Sequence, residues 1–249
     1  MAHLRRLAAP AGAGAHAVLP ASRRPELQRR PPAATTSAGC PANFEFDQFL
    51  SDPAHPVPFI EATNVGMTRE YMTDDQRFAS RRPDVLTYQT DLLTEDLTLA
   101  GPIQARLQVA TTGTSADWVV KIIDVYPDDT PDNPRTAPGV HLGGYQQLVR
   151  SEVMRGRFRD SFTTPKPFVA NEITAVPFTV QDLLHTFKKG HRLMVQVQST
   201  WFPLVDRNPQ TYVPNIFEAS ASDFKADTHR LYHNPEHASQ LVRSRSLLQ

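Results

Sequence analysis

The sequence predicts an all-β fold in which two antiparallel sheets pack as a sandwich. Three features lead there. Several short runs alternate apolar and polar residues with period two, as half-buried strands do. Between those runs, 22 prolines and 11 glycines break the 249-residue chain into turns. Long stretches with the 3.6-residue apolar period of a helix are scarce.

Residues 1–42 stand apart from this pattern. They are dominated by Ala, Arg and Pro (Arg5, Arg6, Arg23, Arg24, Arg29, Arg30), and Glu26 is their only acid. No strand or helix period persists, so a disordered or non-native tail is expected. An Arg-rich, acid-poor transit peptide and GC-rich DNA translated out of frame have the same composition. A secretory signal is not read, because no apolar core of adequate length follows the early arginines. Ordinary globular sequence begins at Phe44-Glu45-Phe46-Asp47, which sets the domain at residues 43–249.

The elements then follow in order. From Phe59 to Arg82 the pattern is irregular and rich in polar and aromatic residues (TREYMTDDQRF), as in a segment that packs on a neighbouring domain or touches a ligand. Val85–Thr90 is a first strand. Ile103, Ala105, Leu107 and Val109 alternate with Gln104, Arg106 and Gln108 in a second. Trp118–Tyr126 (WVVKIIDVY) is apolar on both faces except at Lys121 and Asp124, as a central strand would be. Gln147–Arg159 is a long arginine-rich strand and Glu172–Val180 another. Gln181–Lys188 is expected to form a turn or short helix ended by Gly190. Leu193, Val195 and Val197 alternate with Arg192, Met194, Gln196 and Gln198, and His229–Tyr232 and Ser239–Val242 close a set of seven or eight strands.

Composition removes several classes of function. Twenty-six basic and 26 acidic residues leave zero net charge, so there is no electrostatic footprint for nucleic acid or an anionic membrane. The apolar runs fall far short of the roughly 18 residues that a membrane-spanning helix needs. Cys40 is the sole cysteine, which excludes an internal disulfide framework and a thiolate metal cage. No cofactor-binding motif is read.

Residues that might carry chemistry mostly have simpler roles. A G-x-S-x-G nucleophile elbow does not occur. The nearest string, Gly113-Thr114-Ser115-Ala116, lacks the second glycine and the following helix, which makes Ser115 a turn residue. His229, His233 and His237 recur every four residues, but Pro235 interrupts any helix that would stack them as metal ligands. His141, His185 and His191 have no ligand-like spacing and sit in or beside turns. Asp124, Asp128, Asp129 and Asp132 fit no EF-hand and suit a solvated turn. Trp201, Phe202, Tyr212 and Phe217 surround Asp206-Arg207-Asn208-Pro209, as a sugar platform or as a plug seating the sandwich on a partner domain. Asp206 and Arg207 are expected to bond to backbone.

Taken in order, these strings resemble one family. Arg81–Asp128 is similar to the C-terminal β domain of X-Pro dipeptidyl-peptidases and cocaine-esterase-like hydrolases, as are MRGRFRDSF (Met154–Phe162), Lys188–Thr211 and His229–Val242. DDQRF at Asp74–Phe78, GGYQQLVR at Gly143–Arg150 and NPQTYVPNIF at Asn208–Phe217 look like the branch of α-amino-acid ester hydrolases and glutaryl-cephalosporin acylases. The resemblance spans about Asp47 to Val242. It implies a galactose-binding-like jelly roll that follows an α/β-hydrolase domain and helps wall its acyl pocket. In the resembled enzymes a serine, a histidine and an acid carry the acyl transfer upstream of everything present here, so no catalytic residue is assigned. Tyr71, Asp74, Gln76, Arg77 and Trp201 are the candidates for a pocket-wall or interdomain role, and no metal ligand is assigned. The resembled enzymes include periplasmic, secreted and homo-oligomeric members.

Both ends depart from the family pattern. The tail before Phe44 lacks its entry strand, and Arg243-Ser244-Arg245-Ser246 is polar where an apolar strand usually continues. A truncated or frame-damaged gene copy would look this way, with an open sheet edge that favours association. The expectation is a non-catalytic hydrolase domain, inactive alone, whose partner is an α/β-hydrolase catalytic domain. The alternative is a stand-alone carbohydrate- or ligand-binding β-sandwich module.

Overall fold

In the computed structural model, residues 16–18, 46–63, 66 and 68–243 are described. They contain strands β1 (His16–Val18), β2 (Phe46–Ser51), β3 (Leu86–Gln89), β4 (Leu97–Thr111) and β5 (Asp117–Val125). Strands β6 (Gln146–Arg155), β7 (Thr174–Phe187), β8 (Arg192–Gln198), β9 (Asp227–Tyr232) and β10 (Gln240–Arg243) follow. Every pairing between them is antiparallel.

The larger sheet is organised around β4. Strand β7 pairs along nearly its whole length on one edge, while β10 and β9 share the other. Strands β1 and β2 lie outside β10 and β9 respectively. The smaller sheet runs β3-β8-β5-β6. This is the all-β sandwich expected from the periodicity.

The period-two pattern determines which side chains meet between the sheets. Ile103, Ala105, Leu107 and Val109 of β4 face Trp118, Val120 and Ile122 of β5, with Val195 and Val197 of β8 beside them. Truncating a fully buried leucine such as Leu107 to alanine costs about 2–5 kcal/mol in cores of this kind. Strand β5 is apolar on both faces because its other face is covered too. There Val119 and Ile123 join Phe59, Ile60, Met194 and Trp201 in a second cluster.

The short helix expected over Gln181–Lys188 is instead the second half of β7, paired with Leu97–Gly101 of β4. The reason is a bulge. Pro102 of β4 stands opposite both Gln181 and Asp182, so the phase of β7 slips by one residue there. Val180, Leu183 and Phe187 are therefore all buried, while Leu184 is 82% exposed. The resulting apolar spacing imitates a helical face.

The tail expected over residues 1–42 lies outside the described residues except for His16–Val18. Those three residues form β1 against β10, where no strand was expected.

The arginine-rich string after β6 ties down the loops at one end of the sandwich. Arg155 donates to both carboxylate oxygens of Asp117 at 3.2 Å. Arg157 lies 4.3 Å over the Tyr212 ring and donates to the Val213 carbonyl at 2.8 Å. Arg159 donates to the carbonyls of Gly156, Lys166 and Pro167. Gly156 is needed among them, since a Cβ there would stand 2.5 Å from the Phe168 ring.

Candidate interdomain site

The site candidates gather on the outer face of the smaller sheet. Alternation along β5 and β8 turns Lys121 and Gln196 away from the core as direct cross-strand neighbours. Residues 68–80 cross this face as an irregular strap, with a single 3-10 turn at Glu70–Met72 and the four-residue helix α1 (Arg77–Ser80).

Lys121 is fully buried beneath the strap. Its Nζ donates to Gln76 Oε1 at 3.0 Å and lies 4.9 Å from the Trp201 ring and 5.9 Å from that of Phe78. Gln76, also fully buried, donates through Nε2 to the Asp74 carbonyl at 2.9 Å and through its amide to the Gln146 carbonyl at 3.0 Å. Burial holds the Lys121 amine down at about 7, with the charge of Asp74 opposing that shift. The buried polar atoms without a hydrogen-bond partner among the described residues include Thr87 Oγ1, Gln196 Oε1, Gln198 Oε1 and Trp201 Nε1.

The strap is held at several further points. The Asp74 carboxylate accepts from the amides of Glu61 at 2.8 Å and Asp75 at 3.1 Å. Asp75 pairs with Arg77, whose Nε donates to it at 2.6 Å, and Arg77 also donates to the Gly143 carbonyl at 3.2 Å. Tyr145 donates its hydroxyl to the Thr73 carbonyl. The Tyr71 ring meets Trp201 edge-on at 6.0 Å and Phe59 at 6.1 Å.

Tyr71, Asp74, Gln76 and Trp201 thus converge around Lys121, while Arg77 turns toward Asp75 and Gly143. Sequence reasoning missed Lys121 as their centre. The signal was present as one lysine inside WVVKIIDVY, a strand apolar on both faces. The chemistry of this arrangement is positional: an amine, two amides and two rings fix a loop. Nothing in it pairs a nucleophile with a base.

The other candidates have structural roles. Ser115 is buried in a turn with its amide on the Gln210 carbonyl at 3.0 Å. His185 and His191 each bond the buried Asp124 carboxylate at 2.8 Å, joining β7 and the start of β8 to β5. Sequence spacing gave no hint of that convergence. His141 bonds Asp132, whose other oxygen accepts the Leu142 amide at 2.7 Å, as a solvated turn requires. His229 lies in the core between Phe49 and Trp118, and burial pushes its imidazole down to about 3. His233 lies 3.5 Å from Asp47, and His237 packs against Tyr232. Among the described residues, no group of three or more His, Cys, Asp or Glu side chains is arranged so that it could hold a metal ion.

The four aromatics do not present one platform. Trp201 is buried, Tyr212 lies under Arg157, and of the two exposed rings Phe202 is flanked by Arg207 at 5.6 Å while Phe217 is the more exposed. Arg207 donates to the Pro53 carbonyl at 3.0 Å, and the Asp206 carbonyl accepts from Arg155 at 3.1 Å. A groove of about 630 Å³ between β6 and β7, lined by Phe158, Phe162 and Phe178, contains none of the five candidates.

Comparison with known proteins identifies this architecture. Residues 35–242 match the family described as the X-Pro dipeptidyl-peptidase C-terminal non-catalytic domain. The cocaine esterase of Rhodococcus sp. (strain MB1 Bresler) is 32% identical over 196 residues, which make up 79% of this chain and 31% of the esterase. The solved structure of an aminopeptidase from a marine sediment archaeon (Thaumarchaeota archaeon) is 43% identical with a TM-score of 0.75, over 82% of this chain and 33% of its own. An α-amino acid ester hydrolase structure is 46% identical with a TM-score of 0.74, over 80% and 32%. The chain spans about a third of the length of each of these relatives. It belongs to the X-Pro dipeptidyl-peptidase C-terminal non-catalytic domain family.

Proposed function

We propose that this chain serves as the non-catalytic C-terminal domain of a serine hydrolase acting on esters or amides, of the α-amino-acid ester hydrolase or X-Pro dipeptidyl-peptidase type. It packs on an α/β-hydrolase catalytic domain, and the strap bearing Tyr71, Asp74, Gln76 and Arg77, backed by Trp201, forms part of the acyl-pocket wall. One observation carries this. The match is to a non-catalytic domain over residues 35–242, and about two thirds of each relative lies outside it. The site supports the same reading, because the strap is irregular, is pinned from beneath and leaves the Met72 side chain 49% exposed. Nucleophile, base and oxyanion donors then belong to the catalytic domain.

The test is reconstitution. A catalytic domain cut from a related α-amino-acid ester hydrolase is mixed with this chain and followed by size-exclusion chromatography and ester hydrolysis. Co-elution with a gain in turnover is expected, with a serine-directed phosphonate labelling only the catalytic domain. Separate elution with no gain overturns the reading, as does phosphonate labelling of this chain alone. A homo-oligomer through the same face would elute as a larger species without the catalytic domain.

A further inference from the structure

The contact between the strap and the smaller sheet is unusually polar for a sealed interface. An ammonium has three N–H donors, whereas a neutral amine can be accommodated with one. Among the described residues Lys121 finds a single acceptor, Gln76 Oε1, and that acceptor belongs to the strap itself. Around it lie the unpartnered Thr87 Oγ1, Gln196 Oε1, Gln198 Oε1 and Trp201 Nε1. Closing the strap strips water from the Lys121 amine and from Gln196, whose Nε2 donates to the Gln76 carbonyl at 3.4 Å, and opening restores that water, which is the cost that the strap's bonds must offset.

We propose that residues 68–80 form a pH-responsive strap that tightens on the smaller sheet when Lys121 loses its proton and loosens when the proton returns. The groups facing Lys121 leave it as the controlling charge. Ser151 of β6 and Gln196 of β8 are its cross-strand neighbours, and Thr87 of β3 pairs in turn with Gln196. Trp201 covers it from the loop after β8. The strap brings Tyr71, Asp74, Asp75 and Arg77. Asp75 and Arg77 pair with each other, and Asp74 is the one carboxylate that favours the charged amine.

The direction follows from linkage. In the open strap the amine is hydrated at its ordinary 10.5, and in the closed strap it is held at about 7. Between those values opening takes up a proton, so closure strengthens about tenfold for each unit of rising pH. Below about 7 both states are protonated and the dependence disappears.

Hydrogen exchange on this chain alone tests the proposal, so its failure would leave the catalytic-domain reading untouched. Protection factors, corrected for intrinsic exchange, are measured for peptides spanning residues 69–82 from about pH 6 to about pH 9. They are expected to be flat below neutrality and then to rise about tenfold per unit, with no matching change in β5 or β8. In Lys121→Met the rise should vanish. A flat wild-type profile, or an unchanged rise in Lys121→Met, overturns the proposal. Should Lys121→Met fail to fold, Asp74→Asn serves instead. Removing that carboxylate should move the onset of the rise to lower pH, and an unmoved onset is the overturning result.

Discussion

Lys121 and Gln76 are joined by a 3.0 Å hydrogen bond between two fully buried side chains that lie 45 residues apart in sequence. That bond connects a central strand of the smaller sheet to the strap crossing it. The remaining strap contacts, from Asp74 to Tyr145, surround this pair. The buried amine therefore sets both where the strap lies and how its hold depends on pH.

Replacing Lys121 by methionine should raise stability at mildly acidic pH. Holding the amine at about 7 instead of 10.5 corresponds to roughly 5 kcal/mol when it is charged in the closed fold. Losing the Gln76 bond and the Trp201 contact subtracts about 1–3 kcal/mol. A net gain of about 2 kcal/mol is expected near pH 6, shrinking toward zero near pH 9 as the wild-type amine becomes neutral in the fold. Urea titrations at the two pH values measure it, and a loss of stability near pH 6 would contradict the bookkeeping.

His229 should make the domain sensitive to acid. Its folded value of about 3 lies below the ordinary 6.5, so the unfolded chain binds an extra proton between the two and stability falls as pH drops through that window. The loss should reach about 2 kcal/mol near pH 5. His229→Phe keeps a ring against Phe49 and Trp118 and removes this term. The difference between variant and wild type in urea should widen as pH falls from 7 to 5.

Breaking the Asp117–Arg155 pair should be severe. Burial pushes the Asp117 carboxyl above its ordinary value, while Arg155 and Asn208 pull it down. Arg155→Met leaves this buried carboxylate with Asn208, at 2.7 Å, as its remaining side-chain hydrogen-bond donor among the described residues, and with the more distant charge of Arg157. A destabilisation of about 3–5 kcal/mol is expected in thermal or urea unfolding. A change below about 1 kcal/mol would mean that the pair is solvated in solution.

Trp201→Ala separates the two readings of the aromatic loop. Trp201 is 4% exposed, so its truncation should cost about 3–5 kcal/mol of stability through lost packing on Tyr71, Phe59 and Lys121. The folded wild-type chain should give no saturable signal on a glycan array. Saturable binding that Trp201→Ala abolishes without loss of stability would restore the carbohydrate-module reading.

Much of the fold was legible in the sequence because strand burial is a local, period-two property. The run from Ile103 to Val109 and the run from Arg192 to Gln198 showed their inner faces without any knowledge of partners. The two-faced apolar run at Trp118–Tyr126 likewise announced a strand covered on both sides. The family strings, read in order, indicated a non-catalytic domain. Tyr71, Asp74, Gln76 and Trp201 were legible as a group only through that resemblance.

Contacts between distant segments decided the rest. The bulge of β7 opposite Pro102 turned a helix-like spacing into a strand, because a slip of one residue in a paired ladder cannot be seen from one strand alone. His185 and His191 reach Asp124 across 61 and 67 residues. Lys121 reads as an isolated polar residue until the strap folds over it. By itself the sequence determined the sheets and the family, since alternation and motif order are written along the chain. The tertiary structure alone decided that a buried lysine holds the strap, since burial depends on what another part of the chain brings to cover it.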